Sequence, residues 1–366
     1  MQSIVDQAVT PLLGGPSGVV VGLLHEGKEY IWGYGHPKVP DGTTLYEIGS
    51  LTKVLTGLLL ATLVTQGKLS LDEPAGTYLP EVPTFPSSIT LRQLATHTAG
   101  LPRIPGNIWR SLLKDTMNPF AHYSQDDLLA ELKGFTPAKL AGRAGQISYS
   151  NLGMGLLGQL LARHLGISYE SAGKQHICEP LGMRDTTMTQ PAQARYALPL
   201  SSKGKPLPPF RMPTLEGAGA FVSTAHDMLR FLRAYLNPDQ AMTLTLSLQS
   251  RTMAAPTRVE RIIGWLASRN AKVLYEPVFE GIGLGWIAFT LPQRSVRLWM
   301  HTGGTSGSRS IALFIPEYHQ GLVVFHNRGA SEMDLFTGKP TVEHVAFAVL
   351  EHLVHQRPTP SYIAGG

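Results

Sequence analysis

Hydrophobic and polar positions alternate near the start of the chain in the manner of β-strands. The stretches SGVVVGLLHEG and KEYIWGYG show this alternation on either side of Glu26-Gly27. Two short alternating runs separated by a glycine-containing turn predict a β-hairpin.

The pattern becomes helical after Ser50. Leu51, Val54, Leu55 and Leu58 recur at the i, i+3, i+4 spacing that places apolar side chains on one helical face. Further helical periodicity occurs in LRQLATH, SQDDLLAELKG, NLGMGLLGQLLARHLG and AHDMLRFLRAYL. The intervening stretch PLSSKGKPLPPFRMP is predicted to be a loop, because proline removes backbone hydrogen bonds from helices and strands.

Strand patterns return near the end of the chain. GLGWIAFT, VRLWMHTG, RSIALFIP and GLVVFHNR follow one another with short connections, and a helical stretch, TVEHVAFAVLEHLVHQ, comes after them. Short connections between successive strands predict an antiparallel sheet. The fold class we expect is therefore α+β, with an antiparallel sheet flanked by helices.

The order of these patterns also predicts two lobes. Residues 1–50 and 214–366 would form the lobe that contains the sheet, and residues 51–213 a mostly helical lobe inserted between the two parts. A cleft between such lobes is a natural place for an active site.

The amino-acid composition is that of a globular protein and narrows the function only slightly. The chain has 366 residues, of which 43% are hydrophobic and 16% charged, and its formal net charge is +5. The positive charges are scattered, which disfavours a nucleic-acid partner. Cys178 is the only cysteine, so an internal disulfide is excluded.

Targeting and membrane signals are weak. The first residues, MQSIVDQAVTPLLGG, lack the charged and apolar regions of a signal peptide. The apolar stretch VLTGLLLATLV is about half the roughly 20 residues needed to span a membrane. We therefore expect no membrane span and a cytoplasmic location, or a periplasmic or secreted one if a signal has been removed.

Candidate chemistry begins with serine–lysine pairs at i, i+3 spacing. Four such pairs occur, namely Ser50/Lys53, Ser111/Lys114, Ser171/Lys174 and Ser202/Lys205. Only the first lies where the strand pattern changes to an apolar helix, a place that offers unpaired N–H groups and a desolvated lysine. On local sequence alone, a reactive pair and a serine cap followed by a surface lysine are about equally supported.

Two later stretches favour the reactive pair: SYSN at residues 148–151 and HTGGTSG at 301–307. Ser-x-x-Lys, Tyr-x-Asn and a basic residue-Thr-Gly, in this order, resemble the three active-site motifs of the serine β-lactamase and penicillin-binding-protein superfamily. The Tyr-x-Asn form is similar to class C β-lactamases and to their DD-peptidase and esterase relatives. LRQLATHTAGLP, EPLGM and EGAGAFVSTAHDMLRF agree with that branch, and the resemblance covers about Gly18 to Asn327.

This resemblance implies a role for each matching residue. Ser50 would be the nucleophile, Lys53 would take its proton, and Tyr149 would share the proton relay and serve the leaving group. Asn151 would hydrogen-bond Lys53 or the acyl side-chain amide.

The third motif would contribute the edge of the sheet. His301 and Thr302 would face the substrate there, and Gly303 would let the strand approach closely. The backbone N–H groups of Ser50 and Gly304 would form the oxyanion hole. One departure matters: the family's lysine is replaced by His301, whose charge near the substrate carboxylate would depend on its pKa. The histidine form resembles DD-peptidases, D-amino-acid peptidases and esterases more than antibiotic-hydrolysing enzymes.

Other motifs are set aside. The stretch GMGLLG, residues 153–158, lacks the preceding strand of a dinucleotide site, so close helix packing is the better interpretation. The sequence has no Gly-x-Ser-x-Gly and no His-Glu-x-x-His, and His97 is expected to be structural rather than a ligand. We therefore expect no metal and no cofactor.

The predicted activity is that of a serine hydrolase that forms an acyl-enzyme on Ser50. The substrate would be a small-molecule ester, a peptide-like amide or a β-lactam. The alternative is a penicillin-binding or sensor protein of the same fold with little turnover. The loops at Trp109–Tyr123 and Trp265–Phe279, which match no motif, would read the substrate.

Overall fold

The computed structural model describes residues 1–189, 193–251, 253, 278–291, 296–330 and 339–355. Seven strands form its main sheet: β1 (Gly18–His25), β2 (Lys28–Gly35), β5 (Val278–Ile282), β6 (Ile287–Leu291), β7 (Val296–Gly304), β8 (Arg309–Ile315) and β9 (Gln320–His326). They lie in the order β2-β1-β9-β8-β7-β6-β5, and every neighbouring pair is antiparallel. The strands β3 (Tyr46–Glu47) and β4 (Val222–Ser223) pair antiparallel in a separate two-stranded sheet. The predicted antiparallel sheet is confirmed.

The hairpin between β1 and β2 lies where the alternating pattern of hydrophobic and polar residues predicted it. His25 pairs with Lys28, so Glu26 and Gly27 form a two-residue turn, and both have positive φ, 52° and 73°. Two central residues with positive φ match the right-handed twist of the flanking strands, and glycine adopts this conformation without strain.

The two ends of the chain meet in the middle of the sheet. β1 pairs with β9, from Val19 opposite His326 to Leu24 opposite Gly321. The sheet is therefore built from both ends of the chain, as the order of strand patterns predicted.

Alternation along β1 divides the core into two layers. Val19, Val21 and Leu23 belong to a cluster covered by α1 (Gln2–Val9) and α11 (Val342–His355), whereas Val20 and Leu24 face the larger cluster on the other side. Successive side chains of a strand point to opposite faces, so one hydrophobic strand serves both layers.

The second layer is mostly helical. Its helices are α2 (Thr52–Thr65), α3 (Leu91–Ala95), α4 (Trp109–Leu112), α5 (Gln125–Lys133), α6 (Pro137–Leu140), α7 (Asn151–Leu165), α8 (Tyr169–Gly173), α9 (Ala225–Leu236) and α10 (Gln240–Leu246). α2 is buried on all sides, since it is apolar nearly all round rather than amphipathic. None of the helices in the described part of the chain is long and apolar enough to cross a bilayer.

The glycines of GMGLLG serve packing, as predicted. A Cβ atom at Gly155 would lie 2.6 Å from Leu215 Cβ, and one at Gly158 would lie 2.8 Å from Gly217 Cα. These close approaches bring α7 against the short 3₁₀ turn Glu216–Ala218, which carries a carbonyl group of the candidate site.

Candidate active site

Ser50 lies in a 3₁₀ turn, Gly49–Leu51, that leads directly into α2. The residue before α2 is Leu51, and neither the turn nor the helix has a side-chain cap. The alternative in which Ser50 caps a helix is therefore wrong. N–H groups in a first helical turn have no intrahelical partner, so the Ser50 N–H is suited to bind an oxyanion.

Lys53 completes the pair from inside the protein. Its Nζ donates hydrogen bonds to Ser50 Oγ at 2.9 Å and to the Ala218 carbonyl at 2.6 Å, and the side chain is fully buried. Burial, assisted by the positive charge of Arg103, holds the Lys53 pKa well below its usual range. A lysine with a lowered pKa is a suitable base for a serine hydroxyl.

The other serine–lysine pairs do not share these features. Lys174 instead forms an ion pair with Glu170 at 2.8 Å, and Lys114 and Lys205 are exposed. Identical spacing thus produced one buried, hydrogen-bonded pair and three ordinary ones.

Tyr149 approaches Ser50 from the second motif. Its hydroxyl donates to Ser50 Oγ at 2.8 Å, and Lys53 Nζ lies 4.8 Å from the centre of its ring. Burial raises the Tyr149 pKa to about 12, although the bond to Ser50 and the charge of Arg103 act in the opposite direction. The phenol therefore keeps its proton at neutral pH and can pass it on.

His97 fixes the position of Tyr149, a contribution that the sequence did not predict. Its carbonyl accepts from the Ser148 N–H at 2.8 Å, and its Nδ1 accepts from the Ser150 N–H at 3.2 Å. Its ring lies 4.7 Å from the Tyr149 ring. The residue itself has a φ of 59°, a conformation in which histidine is enriched. His97 therefore has a structural role, and its hydrogen bonds hold both neighbours of Tyr149 in place.

The third motif touches the serine turn through backbone atoms. A Cβ at Gly303 would lie 2.0 Å from the Ile48 carbonyl oxygen, and one at Gly49 would lie 2.6 Å from Gly304 N. Ser310 Oγ donates to the same Ile48 carbonyl at 2.8 Å. The end of β7 therefore lies directly beside the turn that carries Ser50.

His301 is placed in β7 but is not a cation. It is only 3% exposed, and its Nδ1 lies 2.6 Å from the carbonyl oxygen of Thr302, to which the ring N–H donates. Burial first, and then the nearby Lys53, lower the His301 pKa to about 3. The imidazole is neutral at physiological pH, so it lacks the charge that a lysine in this position would supply.

Asn151 is the first residue of α7 and lines a cleft beside Ser50. Lys53 Nζ bonds to Ser50 and Ala218, and no bond between it and the Asn151 side chain is present. The cleft has a volume of about 310 Å³. Its wall is mainly apolar, formed by Met117, Pro119, Phe120, Phe210 and Met212 together with Gly304, Thr305 and Ser306.

The predicted substrate-reading loops are partly represented in this cleft. Met117 and Phe120 come from the Trp109–Tyr123 segment. Of the second segment, residues 265–277 lie outside the described residues. Within the described ranges, no cluster of three or more histidine, cysteine or acidic side chains is arranged to hold a metal ion.

Glu47 is a site residue that the motifs did not reveal. Its carboxylate is 4% exposed and accepts hydrogen bonds from the Tyr196 hydroxyl and the Phe210 N–H, each at 2.7 Å, and from the Thr305 hydroxyl. It therefore joins the strand before Ser50 to two parts of the cleft wall. The sequence around Glu47 did not predict this role, because all three hydrogen-bond partners are distant in the chain.

Replacing Glu47 with alanine is expected to lower the free energy of unfolding by about 3 kcal/mol, since three partly buried donors would lose their charged acceptor. Urea unfolding followed by circular dichroism measures this change. Glu179→Ala, which removes an exposed carboxylate, is the matched control. A loss below about 1 kcal/mol for Glu47→Ala would contradict the role of this carboxylate as an anchor.

The chain is similar to a known protein family and to several of its characterised members. The family model described as Beta-lactamase matches residues 5–347. The D-alanyl-D-alanine-carboxypeptidase/endopeptidase AmpH of Escherichia coli (strain K12) is 29% identical over 326 residues, which cover 86% of this chain and 80% of that protein. A Beta-lactamase of the same organism is 28% identical over 369 residues, covering 90% of this chain and 89% of that protein.

Solved structures agree on the architecture. A class C beta-lactamase in complex with cefoxitin superimposes with a TM-score of 0.73 and covers 96% of this chain and 98% of its own, at 24% identity. A second class C beta lactamase structure gives the same TM-score and identity. At this identity the similarity shows the fold, which is the α+β arrangement predicted from the sequence.

Proposed function

This chain belongs to the Beta-lactamase family and is a serine hydrolase, and we propose that it belongs to the class C-like branch and acts through an acyl-enzyme on Ser50 to cleave an ester or a peptide-like amide. The observation that carries this assignment is the convergence of two groups on Ser50 Oγ. Lys53 Nζ lies 2.9 Å and the Tyr149 hydroxyl 2.8 Å from that oxygen.

In the acylation step, Ser50 Oγ attacks the substrate carbonyl carbon while its proton passes to Lys53 Nζ. The N–H groups of Ser50 and Gly304 stabilise the oxyanion of the tetrahedral intermediate. Tyr149 gives its proton to the departing nitrogen or oxygen and regains one from Lys53. The bond to the leaving group breaks as the Ser50 ester forms.

Deacylation reverses the direction of proton transfer. Water attacks the Ser50 ester, gives up a proton to the Lys53–Tyr149 pair, and Ser50 leaves with a proton restored to Oγ. The products are the free acid and the protonated leaving group. These two reaction steps require no group from outside the chain apart from the substrate and water.

The cleft and the relatives support a proposal for the substrate class. The apolar wall favours an uncharged acyl group, and the relatives are named for D-alanyl-D-alanine peptides and for β-lactams. We propose peptide-like amides and esters as the main substrates, with β-lactams as slower acylating ligands, because neutral His301 replaces the family's lysine. The relatives do not favour a binding protein without turnover.

Labelling tests the nucleophile directly. A fluorescent penicillin or an aryl phosphonate should add one equivalent to the protein, and peptide mapping should place it on Ser50. Ser50→Ala should remove the label, whereas Ser171→Ala, from a pair of the same spacing, should keep it. Label retained in Ser50→Ala would overturn the assignment.

A pH profile tests the state of His301. The pKa of about 3 predicts a neutral ring from pH 5 to 9, so the ratio of peptide to neutral-ester hydrolysis should not follow an imidazole titration in that range. Hydrolysis rates of a D-alanyl-D-alanine peptide and a p-nitrophenyl ester, measured in parallel at each pH, give this ratio. A fall centred between pH 6 and 7 that disappears in His301→Gln would show instead that a charged His301 binds the peptide.

A further inference from the structure

Arg103 is tied to the catalytic motif through its backbone. Its carbonyl accepts from the Asn151 N–H at 2.8 Å, and the preceding carbonyl, of Pro102, accepts from Ser150 Oγ at 2.6 Å. The loop that carries Arg103 is thus fixed against the start of α7, immediately beside Tyr149. The backbone of Arg103 is therefore held beside the second motif.

The Arg103 guanidinium lies over the ring of Tyr149. Its central carbon is 5.1 Å from the ring centre, and the residue is exposed to solvent. No acidic side chain in the described ranges forms an ion pair with it. A guanidinium held by an aromatic face keeps its N–H donors available, and their planar arrangement matches a carboxylate.

The two sides of Ser50 have different chemical character. The apolar cleft, with Phe120 and Phe210 in its wall, does not include Tyr149 or Arg103. In the proposed reaction Tyr149 protonates the leaving group, so the leaving group must depart over that phenol. Arg103 therefore stands on the leaving-group side of the bond that breaks.

The other nearby basic groups do not compete for an anion there. Lys53 is buried with a lowered pKa, and His301 is neutral. Arg309 precedes Ile311 and Leu313, which point into the cluster under α1 and α11. Alternation along β8 directs Arg309 to that same face, away from Ser50, and its Nη2 donates to the Ala330 carbonyl at 3.0 Å.

We propose that Arg103 binds a carboxylate on the leaving group, which makes substrates with an anionic leaving group, such as peptides with a free C-terminal carboxylate, the preferred class. This inference rests on the proposed acyl-enzyme reaction at Ser50. The positive charge that the third motif lacks, because His301 replaces the family's lysine, would then come from the loop that carries Arg103.

A pair of esters isolates this interaction. The 3-carboxyphenyl and 3-carbamoylphenyl esters of one uncharged acid differ only in the charge on the leaving group. The parent protein should show a kcat/KM about 10- to 100-fold higher for the carboxylate ester, the range of a charge-assisted hydrogen bond. Arg103→Gln should bring this ratio close to one, and Arg103→Lys should give an intermediate value because it lacks the planar guanidinium.

The ratio of the two kcat/KM values separates recognition of the carboxylate from other effects of Arg103. Removing its charge also alters the environment of Lys53, but both esters need the same base, so that effect cancels. Arg233→Gln removes an exposed arginine of α9 that pairs with Glu29, outside the site, and should leave the ratio at its parent value. Added salt should reduce the parent's ratio, since an exposed ion pair is screened.

The outcomes distinguish the two proposals. A parent ratio near one, or a high ratio that survives in Arg103→Gln, overturns the role of Arg103 while leaving the hydrolase intact. Absence of turnover for both esters together with absence of label on Ser50 overturns the proposed reaction itself.

Discussion

Lys53→Ala is expected to slow acylation of Ser50 by about two to four orders of magnitude, the contribution of a well-placed general base. The lysine Nζ, 2.9 Å from Ser50 Oγ, is the nearest group able to take its proton, because Tyr149 already carries one at neutral pH. The measurement is the pre-steady-state release of p-nitrophenol from an ester, with the amount of labelled enzyme as a second reading.

The control for this experiment comes from the chain itself. Lys205 has the same spacing from a serine but is exposed in the proline-rich loop, so Lys205→Ala should keep the parent's rate. Thermal melts of both variants show whether the fold is retained. Acylation by Lys53→Ala within about tenfold of the parent would mean that another group acts as the base.

The buried lysine also links stability to pH. Folded Lys53 has a lowered pKa, so between that pKa and the ordinary value the unfolded chain binds a proton that the folded chain does not. Stability of the parent should therefore rise with pH relative to Lys53→Met, by at most about 1.4 kcal/mol per pH unit. Urea unfolding of both proteins at pH 7, 8 and 9 measures this difference, and a constant difference would place a protonated Lys53 in the folded state.

Gly303→Ala is expected to cause a similarly large loss, about 100-fold or more in acylation, because oxyanion-hole geometry contributes on that scale. Its Cβ would lie 2.0 Å from the Ile48 carbonyl and 2.3 Å from Ser310 Oγ, so β7 must move away from the serine turn. Forcing an extra carbon into a packed site also costs about 1–3 kcal/mol of stability. Ester turnover and urea unfolding, measured on the same preparation, report both effects.

Gly142→Ala provides the comparison, since a Cβ at that position has no neighbour within 4 Å. It should retain the parent's turnover and unfold within about 1 kcal/mol of it. If Gly303→Ala were as active as Gly142→Ala, the close approach of β7 to Ile48 would not be needed to form the oxyanion hole.

Short-range patterns in the sequence were sufficient for much of the fold. The turn at Glu26-Gly27, the apolar helix after Ser50 and the antiparallel order of the later strands each follow from periodicity over about ten residues. The family followed from three motifs in a fixed order. Together they predicted which residues to examine, and Lys53 Nζ and the Tyr149 hydroxyl each lie within hydrogen-bonding distance of Ser50 Oγ.

Other features depend on partners far apart in the chain. Glu47 bonds to Phe210 and Thr305, and His97 holds the residues on both sides of Tyr149. Although the stretch around His97 resembles the family, no periodic pattern in the sequence shows which residues Glu47 or His97 contacts. Which segments meet is decided by packing of the whole core, and only the folded chain shows it.

Ionisation was likewise decided by tertiary structure. The sequence identified Lys53 and His301 as basic residues but left their charge open, because a pKa depends on burial and on neighbouring charges. The fold buries both, keeps His301 neutral and leaves Arg103 exposed over Tyr149. The sequence alone thus determined the family and the candidate reacting residues, whereas the distribution of charge around them required the three-dimensional arrangement, since desolvation is a property of the folded surroundings.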